Sequence, residues 1–227
     1  MTVLLVLMTF LAFALLDYAL HRRKAAKQVE SEAPVRAAEP VSAHHIGGFL
    51  VPEELRYHQG HAWLRRERPN HVRIGLDEFA AKVAGVVDRI ELPKPGQWIR
   101  QGQAAWKLVR SGEKTAMVSP IEGEVLEVNS EVLKDPSLAR KEPYGRGWLL
   151  CVHVPDEETT ARNLVPPHMI RTWMQNAVER LYARQPELAG AVAADGGIPA
   201  EDLWTALSHG AAPKGTWGEF TKEFFLP

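Results

Sequence analysis

The chain has 227 residues, 45% of them hydrophobic and 24% charged, which is the balance of a globular protein with room for one ordinary domain and extensions. A formal net charge of -1 leaves no basic excess for gripping a phosphate backbone, so a nucleic-acid partner is not expected. A single cysteine, Cys151, rules out an internal disulfide framework.

Val3 to Leu16 carries no charge. With Thr2 and Tyr18 to Leu20 the apolar run approaches the roughly 20 residues that a helix needs to cross a bilayer core. Asp17 lies near its end, where a carboxylate can reach the headgroups at much lower cost than at the centre. His21-Arg22-Arg23-Lys24 and Lys27 follow, while only the α-amino group precedes. The positive-inside rule then predicts a single-pass cell-membrane anchor with the rest of the chain facing the cytoplasm. A cleaved secretory signal fits less well, because no basic segment precedes the apolar run. Residues 1–20 are therefore expected as the anchor and 21–48 as a basic, then disordered, linker without apolar period. His44-His45 can be weighed with His58 and His61 as imidazole ligands. No cysteine or acidic set accompanies them at metal-site spacing, and no metal is expected.

From Tyr57 onward, short β-type runs alternate with turn chemistry. Val72-Arg73-Ile74 is one run, and Val86 to Leu92 a second, closed by Pro93-Lys94-Pro95-Gly96. Trp98-Ile99, Trp106 to Val109, Ala116 to Val118, Glu124 to Val128 and Trp148 to Val154 continue the series. Cys151 sits in the last of these as a small buried hydrophobe. Gly85 to Ile90 and Gly123 to Val128 echo one another faintly. Asp77-Glu78 and Glu157-Glu158 are adjacent carboxylates that diverge on either regular element, and they read as solvated charge. Asn163 to Leu181 reads as a helix opened by Pro166-Pro167. Beyond it, Glu187 to Ala194 and Pro199 to Ser208 read as short helices. Trp217, Phe220 and Phe224 form an apolar stripe that either packs back on the chain or docks on a partner.

Five motifs in order resemble the glycine cleavage system H-protein family. They are Tyr57-His58-Gln59-Gly60-His61-Ala62-Trp63, Ile74 to Ala80, Ile90 to Gly96, Ser119 to Asn129, and Pro143-Tyr144-Gly145-Arg146-Gly147-Trp148-Leu149. The resemblance implies a mainly β (α+β) barrel-sandwich hybrid of the lipoyl/biotinyl type with flanking helices, over residues 49–182. Residues 183–227 are expected as a helical C-terminal extension. It also implies a carrier module rather than an enzyme.

In the family a lysine at the tip of a hairpin carries the lipoyl group. Counting forward from Gly102 and backward from Ser119 places that position at Gly112, which has no atom to acylate. Lys114, two residues later, is the alternative lipoyl site, since a shift of two keeps strand faces unchanged. Arg110, and Arg140 before the Pro-Tyr-Gly turn, are further departures from the family pattern. The expectation is a membrane-anchored H-protein-like adaptor without cofactor, bound to protein partners through the hairpin around Gly112 or the aromatic C-terminus. Two alternatives stand beside it. One is a working lipoyl carrier using Lys114, in glycine cleavage or another lipoyl-dependent system. The other is a membrane-fusion-type adaptor of an export system.

Overall fold

The structure is a computed structural model that describes residues 43–184 and 216–225. The expected anchor, most of the linker and the helices expected at 187–194 and 199–208 lie outside those residues. No helix among the described residues is long and apolar enough to cross a membrane.

Two sheets share one core. The larger runs β3 (Arg56–His58), β4 (Ala62–Arg68), β5 (His71–Leu76), β11 (Leu150–His153), β10 (Gly123–Val128) and β7 (Trp98–Ile99) in that spatial order. The smaller runs β6 (Arg89–Glu91), β8 (Ala104–Arg110) and β9 (Glu113–Val118). Every strand pair is antiparallel. Trp63, Ile74, Val125 and Leu149 from the one side and Ile90, Trp106, Leu108 and Met117 from the other belong to the same buried cluster. This is the mainly β, sandwich-like arrangement with flanking helices that the motifs imply.

Several elements differ from the sequence expectation. Ala43–Ile46 (β1) and Phe49–Pro52 (β2) form a separate two-stranded hairpin, so residues 43–48 are not linker. Ile46 and Phe49 bury there, beyond the reach of a composition argument. The strand expected over Val86 to Leu92 shrinks to β6: only Arg89, Ile90 and Glu91 pair with β8, and Val86 is exposed. Leu126 is apolar yet exposed because a bulge between Val125 and Glu127 turns it out of the ladder. The helix expected from Asn163 starts later. Pro166 is extended, Pro167–Met169 is a 3-10 turn, and α5 runs Ile170–Arg184.

The other helices are short and capped. The Asp77 side chain caps α1 (Glu78–Ala84) by accepting the Ala80 amide at 2.7 Å. Asn129 caps α2 (Ser130–Lys134), α3 spans Leu138–Lys141, and Asp156 caps α4 (Glu157–Ala161). α6 (Trp217–Phe225) buries Trp217, Phe220, Phe224 and Phe225. The aromatic C-terminus is therefore not an outward docking stripe: its rings pack on the domain.

Candidate functional site

The motif residues are mostly framework, and their hydrogen bonds show why. The Trp63 indole donates to the Pro143 carbonyl at 2.9 Å, tying the first motif to the last. The Tyr144 hydroxyl donates to the Leu50 carbonyl and accepts the Glu78 amide, at 2.6 and 3.0 Å. Burial pushes that phenol well above its usual pKa range, so it stays a donor. The Asn129 amide donates to the Arg146 and Trp148 carbonyls, both at 2.7 Å, and its oxygen caps α2. Each of these buried polar tips has a partner, as a buried polar group requires.

Asp77 departs from the expectation of solvated charge. It is fully buried, and its carboxylate meets Nδ1 of the equally buried His61 at 2.8 Å. The His61 ring is stacked between Phe79 and Trp173, with centroids 4.3 and 4.7 Å away. Glu78 is also engaged, with Lys82 and the Leu50 amide. The signal for Asp77 was available in the sequence: an aspartate before Glu78 and an apolar run is a helix N-cap. Glu157 and Glu158 do sit at the surface, facing Arg66 and Arg162.

Of the four histidines weighed as metal ligands, three serve separate ends. His44 meets Glu53, the His58 Nδ1 accepts the Gly60 amide at 3.0 Å, and His61 is held by Asp77. Among the described residues no group of three or more potential ligands could hold a metal ion. Cys151 is buried in β11, and burial pushes its thiol up, away from the thiolate.

The hairpin of β8 and β9 holds Gly112, the position at which the sequence count expects the lipoyl lysine. Arg110 pairs with Glu113, leaving Ser111 and Gly112 as a two-residue turn with φ of +49° and +83°. Both central residues lie at positive φ, as in the tight turns whose twist matches antiparallel strands. An added Cβ at Gly112 would meet nothing within 4 Å, so the tip stands open to solvent.

Below that tip the hairpin is held from three sides. The Ser111 amide donates to the Asp88 carboxylate at 2.6 Å. The Arg110 guanidinium donates to the Ala84 carbonyl at 3.3 Å, at the C-terminal end of α1. The Glu113 carboxylate accepts the Gly218 amide of α6 at 2.8 Å. Arg140 approaches the same region, lining a narrow cleft with Ala84, Gly85 and Leu108. The two arginine departures thus border one end of α1.

Lys114 is not at the tip. It sits within β9 opposite Val109, and its amine crosses the outer face of β8 to meet the Glu91 carboxylate of β6 at 2.8 Å. Hydrogen bonds from Lys114 and then Arg89 hold the Glu91 carboxyl below its usual range. Asp88, Glu91, Glu113 and Trp217 were not legible as parts of this site. They are ordinary residue types far apart in sequence, and only the tertiary fold brings them to the hairpin.

Residues 55–177 match the sequence model of the Glycine cleavage H-protein. Over 106 residues the chain is 36% identical to a glycine cleavage system H protein of Mycobacterium leprae, covering 47% of this chain and 80% of that one. Over 108 residues it is 37% identical to a glycine cleavage system H protein of Bifidobacterium longum, covering 48% and 78%. Among solved structures, a glycine cleavage system H protein from Mycobacterium marinum aligns at 24% identity with a TM-score of 0.44, covering 46% of this chain and 87% of that one. With the family's sequence model matched over more than half its length, and that family's motifs joined by hydrogen bonds in one core, the chain belongs to the glycine cleavage H-protein family.

Proposed function

We propose that this chain is a membrane-tethered H-protein-like module that carries no lipoyl group and serves as an adaptor for protein partners. As a member of its family it is a carrier-type module, not an enzyme. The observation that carries the reading is the tip itself: where a carrier needs an amine on a free-standing stem, the turn is Ser111-Gly112. Glycine has no side chain, and serine at φ +49° is held by the Asp88 carboxylate.

Lys114 is a poor substitute on geometric grounds. A lipoyl arm must swing from an exposed root, whereas this stem lies along the sheet and ends in an ion pair. An ion pair between partly exposed groups is a small barrier to acylation. Position, not the ion pair, therefore argues against Lys114. In an export adaptor a long helical hairpin leaves the β module; here the corresponding turn is two residues long.

The tether reading rests on residues 2–20 and the basic cluster after them, which favour a single-pass anchor with the module on the cytoplasmic side. The deciding experiment is intact-mass measurement of the full chain purified from its native membrane. The unmodified mass is expected; a covalent lipoyl-amide increment on Lys114 would replace the adaptor with a working carrier.

A further inference from the structure

The groove under the hairpin is formed mainly by residues of the family-matching stretch, with Arg180 and Arg184 of α5 beyond its end, and is filled by α6 from outside it. Its walls are β9, α1 and α5, while the match ends at residue 177 and α6 begins at Trp217. Into this groove α6 places Trp217, Phe220 and Phe224, spaced i, i+3 and i+7 on one helical face. Phe224 meets Phe79 of α1 edge-on at 5.4 Å, and the Trp217 indole donates to the Ala84 carbonyl at 3.0 Å. That carbonyl also accepts Arg110, so the helix and the hairpin share one anchor.

The groove also has polar groups at its two ends. At one end the Glu113 carboxylate takes an amide from the first turn of α6, where a helix dipole is positive. At the other end Arg184 pairs with Glu223 at 2.7 Å and Arg180 lies 5.6 Å from the Phe224 ring centre, both against the last turn. A helix is thereby recognised by its aromatic spacing and by its direction. An acceptor for the first turn and two cations for the last are the features of a helix-in-groove site.

From this we infer that the β9–α1–α5 groove is the module's docking surface for an amphipathic aromatic helix of a protein partner, and that α6 closes it in cis. The inference names the partner surface of the adaptor reading and rests on that reading only for its biological use. Covalent attachment presents α6 at an effective concentration on the order of mM. A partner helix therefore needs tighter binding than α6 or a second contact. The open tip at Gly112, next to the Glu113 end of the groove, is placed to supply that contact.

The test uses the full chain and a labelled synthetic peptide of residues 214–227. In the variant Trp217→Ala/Phe224→Ala, which frees the groove, the peptide should bind one to one with a Kd on the order of μM. To the unaltered chain it should bind at least about 100-fold more weakly, and a peptide bearing the same two substitutions should not bind. A folded variant that ignores the peptide overturns the inference. If the variant does not fold, hydrogen exchange on the unaltered chain decides. Exchange of the α6 amides at least about tenfold faster than those of β5 and β11 supports independent undocking. Exchange at the same rate as those central strands overturns it. Lipoylation found by intact mass would remove the adaptor reading and leave the peptide result standing, so the two failures are distinguishable.

Discussion

At Gly112 an added Cβ meets open space, whereas at Gly123 it would lie 2.1 Å from the His153 carbonyl oxygen. The first glycine answers a backbone demand alone, and the second a close approach between β10 and β11. Gly112→Lys should therefore fold, losing only about 1–2 kcal/mol for a side chain at positive φ. Urea denaturation checks that loss, and incubation with a lipoyl ligase followed by mass measurement should show the variant modified and the parent not. Adding Val109→Glu and Ser111→Val to that variant should do worse, because it places a β-branched side chain at positive φ and a carboxylate at a buried position. His58 allows a second prediction at this scale. Burial, then the neighbouring His61, holds its imidazole below the ordinary 6.5. Its Nδ1 accepts a backbone amide, which only the unprotonated nitrogen can do. The unfolded chain takes up its proton at higher pH than the folded one. Stability is thus intact above about pH 6.5 and falls as the pH drops below it. Melting temperatures should decline from pH ~7.5 to ~5.5, and His58→Asn, which keeps an acceptor for Gly60, should flatten the profile. The glycine at the tip was legible by counting between fixed motif residues. The carboxylates that clamp the tip were not, because no local pattern marks a surface aspartate as a turn's partner.

Among the elements, strands with alternating burial and proline-glycine turns were legible, and so was the helix after Pro166-Pro167 apart from its first residues. What local pattern could not reveal was the choice between two fates for one amphipathic stripe. Trp217, Phe220 and Phe224 have the same spacing whether they face the chain's own core or a partner. The structure places them on the core, and this has an energetic signature. Truncating a buried Phe or Trp to Ala ordinarily costs roughly 3–5 kcal/mol. Trp217 and Phe224 stand about two helical turns apart, roughly 10 Å, far enough for independent losses to add. If α6 is an independently docking element, either substitution already detaches it and the second has little left to lose. Trp217→Ala and Phe224→Ala are therefore expected to be strongly sub-additive in urea denaturation. A sum near that of the two single losses would mean that α6 melts only with the domain.

For the whole molecule, the five motifs specified the scaffold because hydrogen bonds join them to one another, such as Trp63 with Pro143, Asn129 with Trp148 and the Gly96 amide with the Val125 carbonyl. Such mutual dependence gives a family a recognisable sequence even where glycine stands at the position expected for its lipoyl lysine. The proposed membrane tether stands on different physics, and its test is correspondingly separate. A span of roughly 20 apolar residues holds a chain in the bilayer almost irreversibly and without regard to salt. A basic cluster such as Arg22-Arg23-Lys24 acting alone holds it through charges screened within about 10 Å at 0.1 M salt. The full chain should accordingly stay with the membrane pellet through a wash at roughly 1 M salt, while deletion of residues 2–20 should move it to the supernatant. The melting temperature of the module should be unchanged by that deletion if the tether and the domain contribute independently to stability. Release of the intact chain by salt alone would show that the basic residues, not the apolar run, hold it at the surface.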